Sequence, residues 1–103
     1  MDTTESKPLF TLSVAAEIIG VHPRTLMIYE KEDLISPERT KTNRRRFSKN
    51  DLRKLNFIRF LTHQKGINLA GVMVILETIE RVKSEIPSIQ KDIFPDFEDR
   101  DLT

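Results

Sequence analysis

The sequence predicts a mainly α-helical fold, a winged helix-turn-helix with a small β-hairpin wing followed by two further helices. Three observations carry this. Two short apolar-faced segments, residues 14–19 and 23–31, meet at Gly20. A basic, turn-rich stretch from Glu38 to Phe47 follows them. Two longer segments, 49–64 and 69–84, then repeat apolar residues near the helical period.

Each element has a local reason. Residues 1–8 are polar, close on Pro8, and read as a flexible N-terminus. Leu9 to Leu12 alternates as a short strand would. Ser13 is the expected N-cap of the first helix, where Val14, Ala15, Ile18 and Ile19 make a narrow apolar face. Gly20 ends that helix in the left-handed region. His22 stands at the next N-cap, and Pro23 takes the first helical position, where its missing N–H does no harm. Leu34 to Pro37 leaves the second helix in extended form. Thr40 to Asn43 forms the tip of the hairpin. Ser48 caps the third helix, and Lys65-Gly66 stops it. Asn68 caps the fourth, and Pro87 breaks the pattern after it. Ser88 to Phe94 can make one more turn, and Pro95 to Thr103 reads as a frayed end. The expected domain is therefore 9–85, with 86–103 a short acidic C-terminal tail.

Composition narrows the function. The chain has 103 residues and a net charge of +1, which averages two unlike regions. Residues 39–54 hold eight Lys or Arg against Asp51 alone, whereas 92–101 hold five acids against Arg100. Only such a distribution speaks to nucleic acid. There is no cysteine, so disulfides and thiolate metal sites are excluded. His22 and His63 are the two histidines, too few for a metal site without thiolate partners. No metal and no cofactor are expected. No apolar run approaches a membrane span, and no signal peptide opens the chain, so the expected location is the cytoplasm, on the nucleoid. A glycine-rich phosphate loop, a nucleophile beside a base, and paired pocket carboxylates are all missing from the pattern, so an enzyme is not expected.

The second helix and the hairpin carry the chemistry. The first residues of a groove-reading helix reach bases or phosphates, and here they are His22, Arg24 and Thr25. Arg24 can fork onto guanine, Thr25 can bond phosphate or touch a thymine methyl, and Tyr29 can offer its hydroxyl to the backbone. Arg39, Lys41, Arg44, Arg45 and Arg46 form a wing able to clasp phosphate, with almost no acid nearby to neutralise it. Glu17 and Glu30 read as helix-surface acids that can pair with basic neighbours. Leu76, Ile79, Val82 and Ile86 extend an apolar stripe beyond the needs of a small core and read as a candidate dimer contact.

These residues carry a family likeness. Ser13-Val-Ala-Ala, Gly20-Val-His-Pro-Arg-Thr-Leu26, Tyr29-Glu30, Leu34-Ile35-x-Pro37-x-Arg39-Thr40, Arg45-x-Phe47-Ser48 and Asp51-Leu52 resemble the MerR-type transcriptional regulators. His22-Pro23-x-Thr25-Leu26 and Gly66 to Val72 resemble the heat-shock repressor (HspR-like) branch within them. The likeness covers about residues 9–77. It implies a dimer on palindromic, double-stranded promoter DNA, repression of chaperone genes, and a chaperone as co-repressor. It also implies DNA contacts from Arg24, Thr25 and Tyr29, and it makes Arg45 the wing arginine. The chain departs from the family at Met27, where Arg is usual, and at Ile28, where an aromatic is common. Asp33 stands at a usual glycine, and Asn43-Arg44 replaces a glycine and an aromatic. The expected dimerisation helix is missing or replaced by the short 86–94 segment, and small-molecule sensing is not expected.

The leading expectation is a sequence-specific promoter-binding repressor of heat-shock genes. Its rivals are an adaptor acting through protein contacts and a small architectural, excisionase-like DNA-bending protein.

Overall fold

Side chains at the helix starts and left-handed residues at the helix ends set the architecture. In the computed structural model, which describes residues 3–99, a 3₁₀ turn at Thr3–Ser6 precedes helices α1 (Leu12–Ile19) and α2 (Pro23–Lys31). The two-residue strands β1 (Glu38–Arg39) and β2 (Arg45–Arg46) form the wing. Helix α3 (Lys49–Arg59) runs into a π-helical turn at Phe60–Gln64, followed by α4 (Leu69–Val82) and α5 (Ile89–Ile93). Residues 1–2 of the expected flexible N-terminus and 100–103 of the acidic tail lie outside the described residues. No helix among the described residues is long and apolar enough to cross a membrane.

The described residues fall into two compact units, one reaching to Asn56 and the other Phe57–Asp99. In the first, α1 packs on α2. Ala15, Ala16, Ile19, Leu26, Tyr29, Leu34, Ile35, Phe47, Leu52 and Leu55 are buried. Thr11, not Ser13, caps α1: its hydroxyl accepts from the Val14 N–H at 3.3 Å. The helix therefore starts two residues early. Thr11 is free to cap because the expected strand at 9–12 shrinks to one bridge pair, Phe10 with Phe47. The Phe47 N–H donates to the Phe10 carbonyl at 2.7 Å, and Phe10 and Leu9 donate back to Phe47. This ties the N-terminal segment to the base of the wing.

Gly20 is left-handed at φ 83°, and its N–H and that of Val21 both reach the Ala16 carbonyl. That sharp stop lets α2 begin three residues later. α2 ends the same way with a different residue. Asp33 has φ 62°, its N–H reaches the Glu30 carbonyl, and Leu34 N–H reaches Tyr29 at 2.9 Å. These two bonds make a Schellman motif with aspartate in the usual glycine place. Ser48 and Asp51 cap α3 reciprocally, each side chain accepting from the other's N–H at 3.0 and 2.9 Å.

In the second unit Phe57, Ile58, Phe60, Leu61, Val72 and Ile79 are buried. Asn68 caps α4 by accepting from the Gly71 N–H at 2.8 Å. α4 stops at Val82, two residues short of the expected end, and packs on the π-helical turn and α5. Of the expected frayed end, the described part, residues 95–99, is instead held down. Phe94 and Phe97 meet the Phe57 ring edge-on, with centroids 5.6 and 5.1 Å away. Lys65 pairs with Asp96 at 2.8 Å and lies 5.5 Å from the Phe60 ring centre.

A left-handed residue with a Cβ is strained, less so for Asp than for bulkier types. Asp33→Gly is therefore expected to be neutral or to add up to about 1 kcal/mol in urea unfolding, whereas Asp33→Val should lose about 1–2 kcal/mol. Equal losses in both variants would contradict the left-handed cap.

Candidate nucleic-acid interface

The start of α2 is built by its own cap. The His22 Nδ1 accepts from the Arg24 N–H at 3.0 Å, and the Thr25 N–H donates to the His22 carbonyl at 2.8 Å. With Nδ1 occupied as an acceptor, Nε2 is the nitrogen left to donate to an outside group. Arg24 is exposed and Thr25 half-buried. Tyr29 departs from its expected place. It is 3% exposed, because the i, i+3 spacing with Leu26 puts its ring on the inward face of α2. Its neighbours Met27 and Ile28 hold the outward face instead.

The wing is short and sharply turned. Glu38 pairs with Arg46 and Arg39 with Arg45 across the antiparallel ladder. Asn43 takes φ 63° at the tip, and the Thr40 hydroxyl accepts from the Arg44 N–H at 3.1 Å. Lys41 and Arg44 are exposed there.

One carboxylate joins the two elements. Glu30, near the end of α2, receives the Arg45 Nε at 2.6 Å on one oxygen and the Arg39 Nη2 at 2.9 Å on the other. The side chains of Glu30 and Arg45 are only 21% and 22% exposed. Arg39 also reaches the Asn43 carbonyl at 3.4 Å, so it touches both the helix and the wing tip. Burial by itself would raise the Glu30 pKa, but the hydrogen bonds and charges of Arg45 and Arg39 outweigh it and hold the carboxyl below the usual glutamate range. Glu30 thus pairs as its sequence reading expected. The cluster around it does not stay unneutralised: Arg39 and Arg45 are ion-paired, so the wing arginine singled out by family likeness is already occupied. Arg46 donates to the Arg45 carbonyl at 2.8 Å and is half-buried. Among the described residues no carboxylate pairs with Arg24, Lys41 or Arg44.

An open cleft of about 540 Å³ lies between these parts. Thr11, Leu12 and Ser13 line it from the start of α1, Pro23 from the start of α2, and Asn43 to Arg46 from the wing. Two helix N-termini and a run of arginines therefore border one opening, which suits an anion. Thr11 and Ser13 were missed as part of it. Their nearness to the wing follows from the Phe10–Phe47 bridge, a pairing of residues far apart in sequence.

The stripe proposed for dimer contact divides. Ile79 is buried at 9% exposure within its own unit, while Leu76 and Val82 are half-buried and Ile86 is 45% exposed. Ile79 is therefore withdrawn from any outward surface. Val74, at 61%, is the more exposed apolar residue of α4.

Residues 10–79 match the family described as MerR HTH family regulatory protein. Over 81 residues the chain is 41% identical to a Streptomyces coelicolor protein described as heat shock protein HspR. That match takes 79% of this chain and 54% of the relative, so the chain spans about half of that protein's length. The HTH-type transcriptional regulators GlnR of Bacillus anthracis and Bacillus cereus are 39% identical over 92 residues, covering 84% of this chain and 70% of each.

Replacing Glu30 tests the junction. Glu30→Gln should cost about 1–2 kcal/mol at pH 7, as expected when charge-assisted hydrogen bonds become neutral ones. The folded-state pKa is depressed below that of a free glutamate, so this stabilisation is complete above the unfolded-state pKa and is lost as pH falls through the folded one. The stability gap between the unaltered chain and Glu30→Gln should therefore close in acid. A gap of the same size at every pH would contradict the charge-based role.

Proposed function

The chain belongs to the MerR helix-turn-helix family of regulatory proteins, and from that premise we propose that it represses heat-shock or chaperone genes by binding their promoters. α2 enters the major groove, led by His22, Arg24 and Thr25, and the wing clasps the flanking phosphates. The observation that carries this reading is the Glu30 junction, which fastens the wing to α2 with two ion pairs. Exposed Arg24, Lys41 and Arg44 sit on the elements so linked. The cleft bordered by the starts of α1 and α2 and by the wing arginines turns two positive helix ends toward a phosphate.

Arg44 takes over the phosphate-clamp role from Arg45. Arg45 holds the wing, and Lys41 and Arg44 reach outward from it. The heat-shock assignment is supported by the 41% identity to the Streptomyces coelicolor protein. Half-site recognition works through pairs, and Leu76, Val82 and Ile86, joined by Val74, supply apolar surface for a homodimer. A chaperone serves as co-repressor in this reading, and the protein acts in the cytoplasm on the nucleoid.

A mobility-shift titration with the duplex upstream of a chaperone operon, against random duplex at physiological salt, tests the proposal. Preference for the promoter is expected. Equal binding would overturn sequence-specific repression in favour of an architectural role. In the same assay Arg44→Ala should weaken binding to every duplex. It should also flatten the plot of log affinity against log salt by about 0.9, the value of one phosphate contact. An unchanged slope would remove Arg44 from the clamp.

A further inference from the structure

The outward face of α2 has an ordered chemistry. Arg24, Met27, Ile28 and Lys31 recur at i, i+3, i+4 and i+7, the spacing that stacks side chains into one stripe. All four are exposed, Met27 at 43% and Ile28 at 44%. The stripe therefore runs cation, two apolar side chains, cation. Neither apolar side chain belongs to the buried set, which on this helix is Leu26 and Tyr29. A nine-residue helix in water gains nothing from this pair, and isoleucine is a weaker helix former than the polar residues an exposed position usually holds. Flanking cations make the face a poor match for a basic or wholly apolar partner and a good match for a polyanion.

We propose that Met27 and Ile28 select the half-site by packing on thymine 5-methyl groups in the major groove. The inference rests on α2 being the groove-reading helix. In that groove each base pair shows hydrogen-bonding groups, and the thymine methyl is the apolar feature among them. A side chain without donors or acceptors gains contact there. Over guanine, cytosine or adenine edges it would strip water from polar groups and replace nothing. Arg24 has the fork geometry for guanine. Met27 and Ile28 lie about 4.5–6 Å further along the helix axis at 1.5 Å per residue, a distance of one to two base-pair steps. The preferred half-site thus carries guanine at the Arg24 end and thymine one or two steps away. Lys31, about 10 Å from Arg24 along the axis, is placed for the phosphates beyond.

Selection of duplexes from a randomised library with the full chain supplies the site. Each thymine in the enriched duplex is then replaced by uracil, which removes the methyl and nothing else. At one or two thymines per half-site, affinity should fall about fourfold, the effect of withdrawing one buried methyl-sized group. In Met27→Ala and Ile28→Ala, whose thermal unfolding should be unchanged because both side chains are exposed, the same uracils should have no further effect. Met27→Arg should abolish the uracil effect and shift the selected base towards guanine. An enriched site indifferent to uracil at every position would overturn the methyl reading and leave α2 as the DNA-binding helix. Uracil sensitivity that survives in both alanine variants would assign the methyls to another residue and overturn it too. No enrichment at all would overturn the repressor reading together with this one.

Discussion

Glu30 is the constraint on which the working end of this protein depends. The wing has strands of two residues each, far too little ladder to hold itself in water. What holds it is a carboxylate on another element, gripped on both oxygens by arginines from opposite strands. Arginine suits the task because its planar fork loses less freedom per bond than a lysine would. Partial burial lowers the local dielectric and strengthens both pairs beyond those of an open surface. The arginine cluster thereby divides its labour. The ladder residues Arg39 and Arg45 are ion-paired to Glu30, and the tip residues Lys41 and Arg44 are exposed with no carboxylate paired to them among the described residues.

Helix ends do the remaining positioning in this half of the chain. Thr11, His22 and the Ser48–Asp51 pair each fix a start, while Gly20 and Asp33 fix the stops. Because α2 is clamped at both ends, its rotation is set by burying Leu26 and Tyr29. That rotation turns Met27 and Ile28 outward. The substitution that looks from sequence like a lost DNA-facing arginine is, in place, half of an exposed apolar pair between two cations.

Much of this was legible in the chain itself. Gly20, Pro23, Ser48, Asn68 and Gly66 act within one or two turns of their own position, so their roles follow from local rules. The apolar repeats of 49–64 and 69–84 likewise marked buried positions such as Leu52, Leu55, Ile58, Leu61 and Val72. The candidate site was legible in part. His22 as a cap and the left-handed hairpin tip at Asn43 were readable. Tyr29 was not, because i, i+3 pairing with Leu26 says that two residues share a face without saying which way it looks.

The sequence by itself determined the order of the elements, their caps and turns apart from the Thr11 cap of α1, and the family to which they belong, since each depends on neighbours a few bonds away. Only the tertiary structure decided which charges are spent and which are free. Arg45 and Glu30 are fifteen residues apart, and the ion pair between them exists only once the hairpin has folded back on α2. The same holds for Phe10 on Phe47 and for Phe94 and Phe97 on Phe57. Contacts at such separations depend on where the whole backbone goes, and a linear pattern of residues does not contain that.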